Sequence, residues 1–286
     1  MNGMKTAIRT AALLLLGLLL ARAPRALAQE GSIEFVARAT PSGGLDEPVR
    51  GFPFYLLGQS FEAIGHEAEA SYPKPDLDAF VDHLDVSPQL KAWMKKRRWT
   101  SLSGEAFTRQ LHADDIMEVP EFYKAYSDRV AGDRTVRWPK PKFKPSDKTK
   151  DPAKYQRLSD EYTATVHQFI DQNPQTISGI DINLQEIDPG HRWNTLEATR
   201  NSDVHRRTLD LAQSKYLVGR VESDLQGQGS FHGLAPGTYW LSTLDVAASV
   251  GDVRPQWDVP LTVRAGQTSR LTLSNTNAVP PSHPSP

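Results

Sequence analysis

A chain of 286 residues, with 33 basic and 34 acidic side chains, is long enough for one large domain or two ordinary ones. Its net charge of −1 supplies no global attraction for nucleic acid, and the absence of cysteine excludes a disulfide scaffold, thiolate metal ligands and a cysteine nucleophile. Any core must hold by packing alone.

The N-terminus reads as an export signal. Lys5 and Arg9 precede an apolar run over 11–21, and Ala26-Leu27-Ala28 has the small-x-small pattern that predicts cleavage near Ala28. The run is too short to cross a hydrocarbon layer of ~30 Å as a helix, and no later run approaches that length. The mature chain, 29–286, is therefore expected to lack a transmembrane segment and to be extracytoplasmic, either periplasmic or secreted. Losing Lys5, Arg9, Arg22 and Arg25 leaves 29 basic against 34 acidic residues, a net of −5.

Both ends of the mature chain carry a period of two, the signature of half-buried strands. Ile33, Phe35 and Ala37 alternate with Glu34 and Arg38, and Phe52, Phe54 and Leu56 follow a turn cluster at 41–48. Further strands are predicted at 215–223, at 230–234 and after Pro236-Gly237, where proline and a positive-φ glycine would form a type II turn. The last two, around Val259, Leu261 and Val263 and around Leu271 and Leu273, read as a hairpin across Ala265-Gly266-Gln267. Seven short strands in this pattern predict an antiparallel β-sandwich.

Between them the period changes. Ser87-Pro88, Asp151-Pro152, Asn173-Pro174 and Asp188-Pro189 each place a capping side chain before proline at a first helical position. Tyr155, Leu158, Tyr162, Val166 and Phe169 follow helical spacing, as do Phe122, Tyr126 and Val130 before a stop at Gly132. The predicted organisation is thus α+β: a β-sandwich from 29–59 and 214–276, a helical insertion over 60–213 and a disordered, proline-rich tail at 277–286. Two independent domains split near Ser60 are the alternative.

The stretch Gly227 to Leu241, with Leu234-Ala235-Pro236-Gly237-Thr238-Tyr239 at its centre, resembles the carboxypeptidase regulatory-like, transthyretin-like (carbohydrate-binding-like) β-sandwich family, as does 259–273 around Ala-Gly-Gln. The resemblance covers roughly 31–58 and 214–275. It implies that fold and a role as an extracytoplasmic accessory or binding module; it does not imply peptidase activity. The helical block departs from the family, whose modules carry only a short loop there.

Chemistry is sparse. His66 and Glu69 have the His-x-x-Glu spacing of a zinc carboxypeptidase site, but the chain lacks the large α/β body of those enzymes and such residues are common on solvated surfaces; His112 with Asp114 and Asp115 offers less. There is no nucleophile elbow and no phosphate-cradling glycine loop. No cofactor is called for. Binding candidates are clearer: Trp240 and Trp257, either of which offers an indole for stacking if exposed, and the proline-rich stretch where Trp138 precedes Lys140, Lys142 and Lys144. Burial of Trp240 beneath helices and simple solvation of the lysines are the competing readings. The same choice applies to Lys91, Lys95 and Arg98 on the helix from Pro88. Asn275 and Asn277 end the last strand, but 33–40 offers Arg38 and no lysine, so an isopeptide crosslink is not expected. The functional expectation is an exported, non-enzymatic binding or envelope-associated structural module recognising a glycan or protein partner. The alternative is a metal-dependent hydrolase built around His66 and Glu69.

Overall fold

The computed structural model describes residues 29–133 and 136–279; the predicted signal peptide and the end of the tail lie outside them. In chain order, β1 (Gly31–Ala39), β2 (Glu47–Pro48) and β3 (Pro53–Leu57) come first. The helices follow: α1 (Phe61–Ala70), α2 (Leu77–Asp82), α3 (Pro88–Arg97), α4 (Glu105–Thr108), α5 (Ala113–Glu118), α6 (Pro120–Ala131), α7 (Asp147–Lys150), α8 (Pro152–Gln172) and α9 (Gly190–Ser214). The chain then returns to β4 (Leu217–Glu222), β5 (Gln228–Leu234), β6 (Gly237–Ser242), β7 (Asp258–Val263) and β8 (Thr268–Leu273). The fold is α+β. The described residues up to Ser71 and from Val204 form one compact unit, and Tyr72–Asp203 form another.

In the first unit the two flanking β segments pair with each other. β1 lies between β5, antiparallel, and β8, parallel with Ser32 opposite Thr268, while β2 joins its far end. The second sheet runs β4-β3-β6-β7, all antiparallel. Alternation along β1 buries Ile33, Phe35 and Ala37, and these share one core with Phe54 and Leu56 of β3, Leu241 of β6, Val263 of β7 and Leu273 of β8. The Phe35 and Phe54 rings meet across the sheets at 4.8 Å. A second cluster joins Leu57 and Leu244 to Ile64 and Ala68 of α1 and Leu211 and Ala212 of α9.

Five expectations need correction. The described strands number eight, because Glu47–Pro48 adds a short pairing to β1, and the β1–β8 pair is parallel, so the sheets are not wholly antiparallel. β7 and β8 are not a hairpin: they belong to different sheets, so the Ala-Gly-Gln turn crosses between layers. At the β5–β6 corner the positive φ falls on Gly233, at 69°, and not on Gly237. The described part of the predicted tail is held, with the Val279 N–H donating to the Gln256 carbonyl at 2.8 Å. Asn275 ties the strand ends together, its side chain bonding both backbone groups of Thr40.

The second unit is helical around a core that includes Trp93, Phe107, Phe122, Tyr126, Val166 and Ile180. Trp93 meets Phe122 edge-on at 5.1 Å. Two of the capped starts form as read: the Ser87 hydroxyl accepts from the Leu90 N–H, and Asp151 Oδ1 from the Lys154 N–H. At Asn173-Pro174 only a 3₁₀ turn follows, because the Asn173 side chain donates back to the Phe169 carbonyl instead of capping forward. Asp188 Oδ1 receives the N–H groups of Gly190 and Leu102, so it joins the start of α9 to the loop before α4. On α8 the fully buried positions are Val166 and Ile170, while Tyr155, Leu158 and Tyr162 are only half-buried.

His167 of α8 bonds Asp114 of α5 at 2.6 Å and faces Asp171 at 3.1 Å. The Asp114 hydrogen bond, aided by the charge of Asp171, raises its pKa above the ordinary histidine value of 6.5. A raised folded value means the pair contributes stability that is fully present below the unfolded pKa and is lost as pH climbs through the folded one. The melting temperature of this unit is expected to fall slightly as pH rises from about 6.5, and His167→Gln to flatten that dependence. The effect is small because the pair is solvated.

Candidate functional site

The site is built by residues 136–146 and α8, all within the helical unit. Pro139, Pro141 and Pro145 fix φ near −65° and remove N–H donors, so the segment stays extended and is held by side chains rather than by a backbone ladder. Two aromatics do the holding. Trp138 is half-buried between Tyr126 and Phe169, each ring centroid 5.6 Å away, and Phe143 sits edge-on to Tyr155 at 5.1 Å and Tyr162 at 5.9 Å. With the aromatics turned onto the core, Lys140, Lys142 and Lys144 are exposed. Lys144 N–H donates to Asp147 Oδ2, which closes the stretch into α7.

A groove of about 270 Å³ lies between this segment and α8, lined by Pro139, Lys140, Lys142, Leu158, Tyr162 and Thr165. Glu161 also borders it, with its Oε1 engaged by Arg157 at 2.7 Å. The charge here differs from the rest of the unit. Elsewhere many cations are matched: Lys95 with Asp82 at 2.5 Å, Arg98 with Asp78 at 2.6 Å, Arg97 with Asp115, Arg109 with Glu105 and Lys124 with Asp128. Lys95 holds the Asp82 carboxyl below its usual range. Lys91 donates to the Asp82 carbonyl, so the basic face of α3 is largely tied down. By contrast, no ion pair with a described residue involves Lys140, Lys142, Lys144, Lys148 or Lys150. Between 137 and 150 six basic residues face one acid, Asp147.

The other predicted binding residues are elsewhere. Trp240 and Trp257 belong to the β unit, Trp138 and the lysines to the helical one. Trp257 is 0% exposed, packed on Phe54 with its Nε1 donating to the Ser274 carbonyl at 2.9 Å, so it presents no stacking face. Trp240 is half-buried against the Leu57–Ile64–Ala68 cluster, the packing alternative raised by the sequence. Trp138 is an anchor rather than an exposed platform. His66 is solvent-exposed on α1, 3.9 Å from Glu62 and 3.7 Å from Glu69, and no described cluster of three His, Cys, Asp or Glu side chains could hold a metal ion. Asp115 is structural, accepting from the His112 N–H and from Trp93 Nε1. Helical spacing puts Leu158 and Tyr162 on one apolar face but marks neither them nor Thr165 as site residues; their four- and three-residue spacing on α8 is the available signal for a shared face beside the loop.

No protein-family model matches the chain, and no curated protein matches it. One match among solved structures is the pilus backbone protein RrgB from Streptococcus pneumoniae, 13% identical, covering 82% of this chain and 35% of that one with a TM-score of 0.22. This chain therefore spans about a third of that protein's length. At that TM-score the likeness decides neither fold nor role. No helix among the described residues is long and apolar enough to cross a membrane.

Proposed function

We propose that this chain is an exported, non-enzymatic binding module in which a carboxypeptidase regulatory-like, transthyretin-like β body carries the helical insertion at 60–213, and that the insertion binds acidic saccharides along the lysine groove. The observation that carries the reading is that Lys140 and Lys142, which line the groove, and the neighbouring Lys144 form no ion pair with a described residue, in a unit that pairs many of its other cations. Like charges held together repel unless an anionic partner joins them, and outside the cytoplasm acidic glycans are the abundant polyanions. Tyr162 supplies an aromatic wall beside Lys140 and Lys142, and 270 Å³ is near the lower bound of roughly 300 Å³ for ligand clefts, so one sugar would enter while its neighbours lie on the rim. The family reading draws support from the Leu-Ala-Pro-Gly-Thr-Tyr corner, which joins β5 to β6, and from Ala-Gly-Gln, which joins β7 to β8.

Calorimetric titration with an oligogalacturonate and a neutral maltooligosaccharide of equal length tests this. Wild type is expected to bind the acidic chain only. Lys140→Glu/Lys142→Glu, at exposed positions the fold does not need, is expected to weaken binding by at least about tenfold. Equal binding of the neutral chain, or an unaffected double variant, would remove the proposal.

A further inference from the structure

A second cavity, unrelated to the lysine groove, lies entirely in the β unit where β6 ends and β7 begins. It encloses about 650 Å³, within the range of small-ligand pockets. Its apolar wall comes from Phe61, Leu244, Trp257 and Val279, and its polar groups are Glu62, His205, Asp245, Gln256 and Asp258. Three of the lining residues are carboxylic acids and none is a lysine or arginine.

The chain's path sets these groups in place. After Ser242 the backbone turns through Leu244, whose φ of 56° lies in the left-handed region that non-glycine residues rarely occupy. Asp245 follows it and pairs with His205 of α9 at 2.9 Å, and Gln256 Nε2 donates to the Asp245 carbonyl at 2.7 Å. Asp258 opens β7, where its Oδ2 accepts from the Phe61 N–H at the first turn of α1 at 2.8 Å. Its Oδ1 has under 1 Å² open to solvent and no hydrogen bond of good geometry among the described residues, although the buried Ser242 hydroxyl lies close enough to favour the charged carboxylate.

We infer that this pocket receives a protonated amine carried on a short apolar chain. The apolar wall suits a hydrocarbon body. Asp245 and Glu62, both with solvent access, supply acceptors for an ammonium group, and the half-buried Asp258 carboxyl adds negative potential beside them. His205 is the one imidazole facing the site, and Asp245 already engages it. Burial raises the Asp258 pKa, which is the state expected of a carboxyl lacking its cationic partner, and a bound ammonium would lower it again. An anionic guest meets three carboxyls and is disfavoured. This inference does not depend on the lysine groove.

Three probes of matched length separate charge from shape: n-pentylamine, 1-pentanol and pentanoate, titrated into the full chain with amide chemical shifts as readout. The amine is expected to move the signals of Leu244, Asp245 and Asp258, with pentanol at least about tenfold weaker and pentanoate weaker still. Asp258→Asn is the direct variant. Because it removes a helix-capping carboxylate, Glu62→Gln is the second, at a side chain 85% exposed, and should weaken the amine several-fold while leaving pentanol unchanged. Equal binding of amine and pentanol, tighter binding of pentanoate, an unmoved Glu62→Gln variant, or no shift at millimolar concentration with any probe would each overturn the inference. None of these results touches the oligogalacturonate titration.

Discussion

Trp257→Ala is expected to destabilise the β unit by about 4 kcal/mol, within the roughly 3–5 kcal/mol typical of emptying a buried Trp site. The indole is 0% exposed, among the bulkiest fully buried side chains, and fills the space beside Phe54 at 6.1 Å. Truncation opens a cavity and also strips the Ser274 carbonyl of its donor. Trp240→Ala, at a half-buried ring on the cluster beside α1, should cost less, about 1–2 kcal/mol. Amide hydrogen exchange at Ile33 and Phe35 reports this unit alone. Equal losses for the two variants would contradict the assignment of Trp257 to the core.

A backbone prediction of similar size concerns Gly227→Ala. Gly227 turns the chain into β5 at φ 78°, and a Cβ there would stand 2.3 Å from the Ala37 carbonyl oxygen, a backbone atom that cannot swing aside. The left-handed conformation costs an alanine ~1–2 kcal/mol, and relieving the contact adds a comparable amount, so about 3 kcal/mol is expected. The Gly227 carbonyl also accepts the Ala37 N–H at 2.8 Å, so any retreat of the turn loosens β1. Urea titration followed by exchange of the β1 amides checks it; a loss under ~1 kcal/mol would mean that the turn tolerates a side chain.

What the sequence made legible follows the range of the interactions involved. The seven longer strands were readable from alternation, because facing a core imposes a period of two on each strand separately. Their partners were not. Pairing β1 with β8 in parallel joins residues about 236 positions apart, and separating β7 from β8 into different sheets depends on packing that no turn residue encodes. Gly233 rather than Gly237 took the positive φ for the same reason: the corner bridges two layers instead of closing a two-strand turn. Capping was readable where the side chain had no better partner, at Ser87 and Asp151, and failed at Asn173, whose amide found the preceding carbonyl.

The lysine run was visible in the sequence, but its unpaired state was not, since pairing depends on which carboxylates the helices bring near. The tryptophans were harder still. Trp257 and Trp240 each sit in an alternating strand context, and only the position of the Phe54 layer places one inside it and the other against the helices. The second pocket left no spacing signal, because Glu62, His205, Asp245 and Asp258 come from three distant stretches of chain.

The functional account turns on charge: the groove is expected to hold its ligand through lysines that form no ion pair with a described residue. The affinity of the wild-type chain for oligogalacturonate across a salt series measures this directly. If two or three of these lysines release counterions on binding, log affinity should fall linearly with log salt with a slope of about −2. A slope near zero, with binding intact at high salt, would contradict the account.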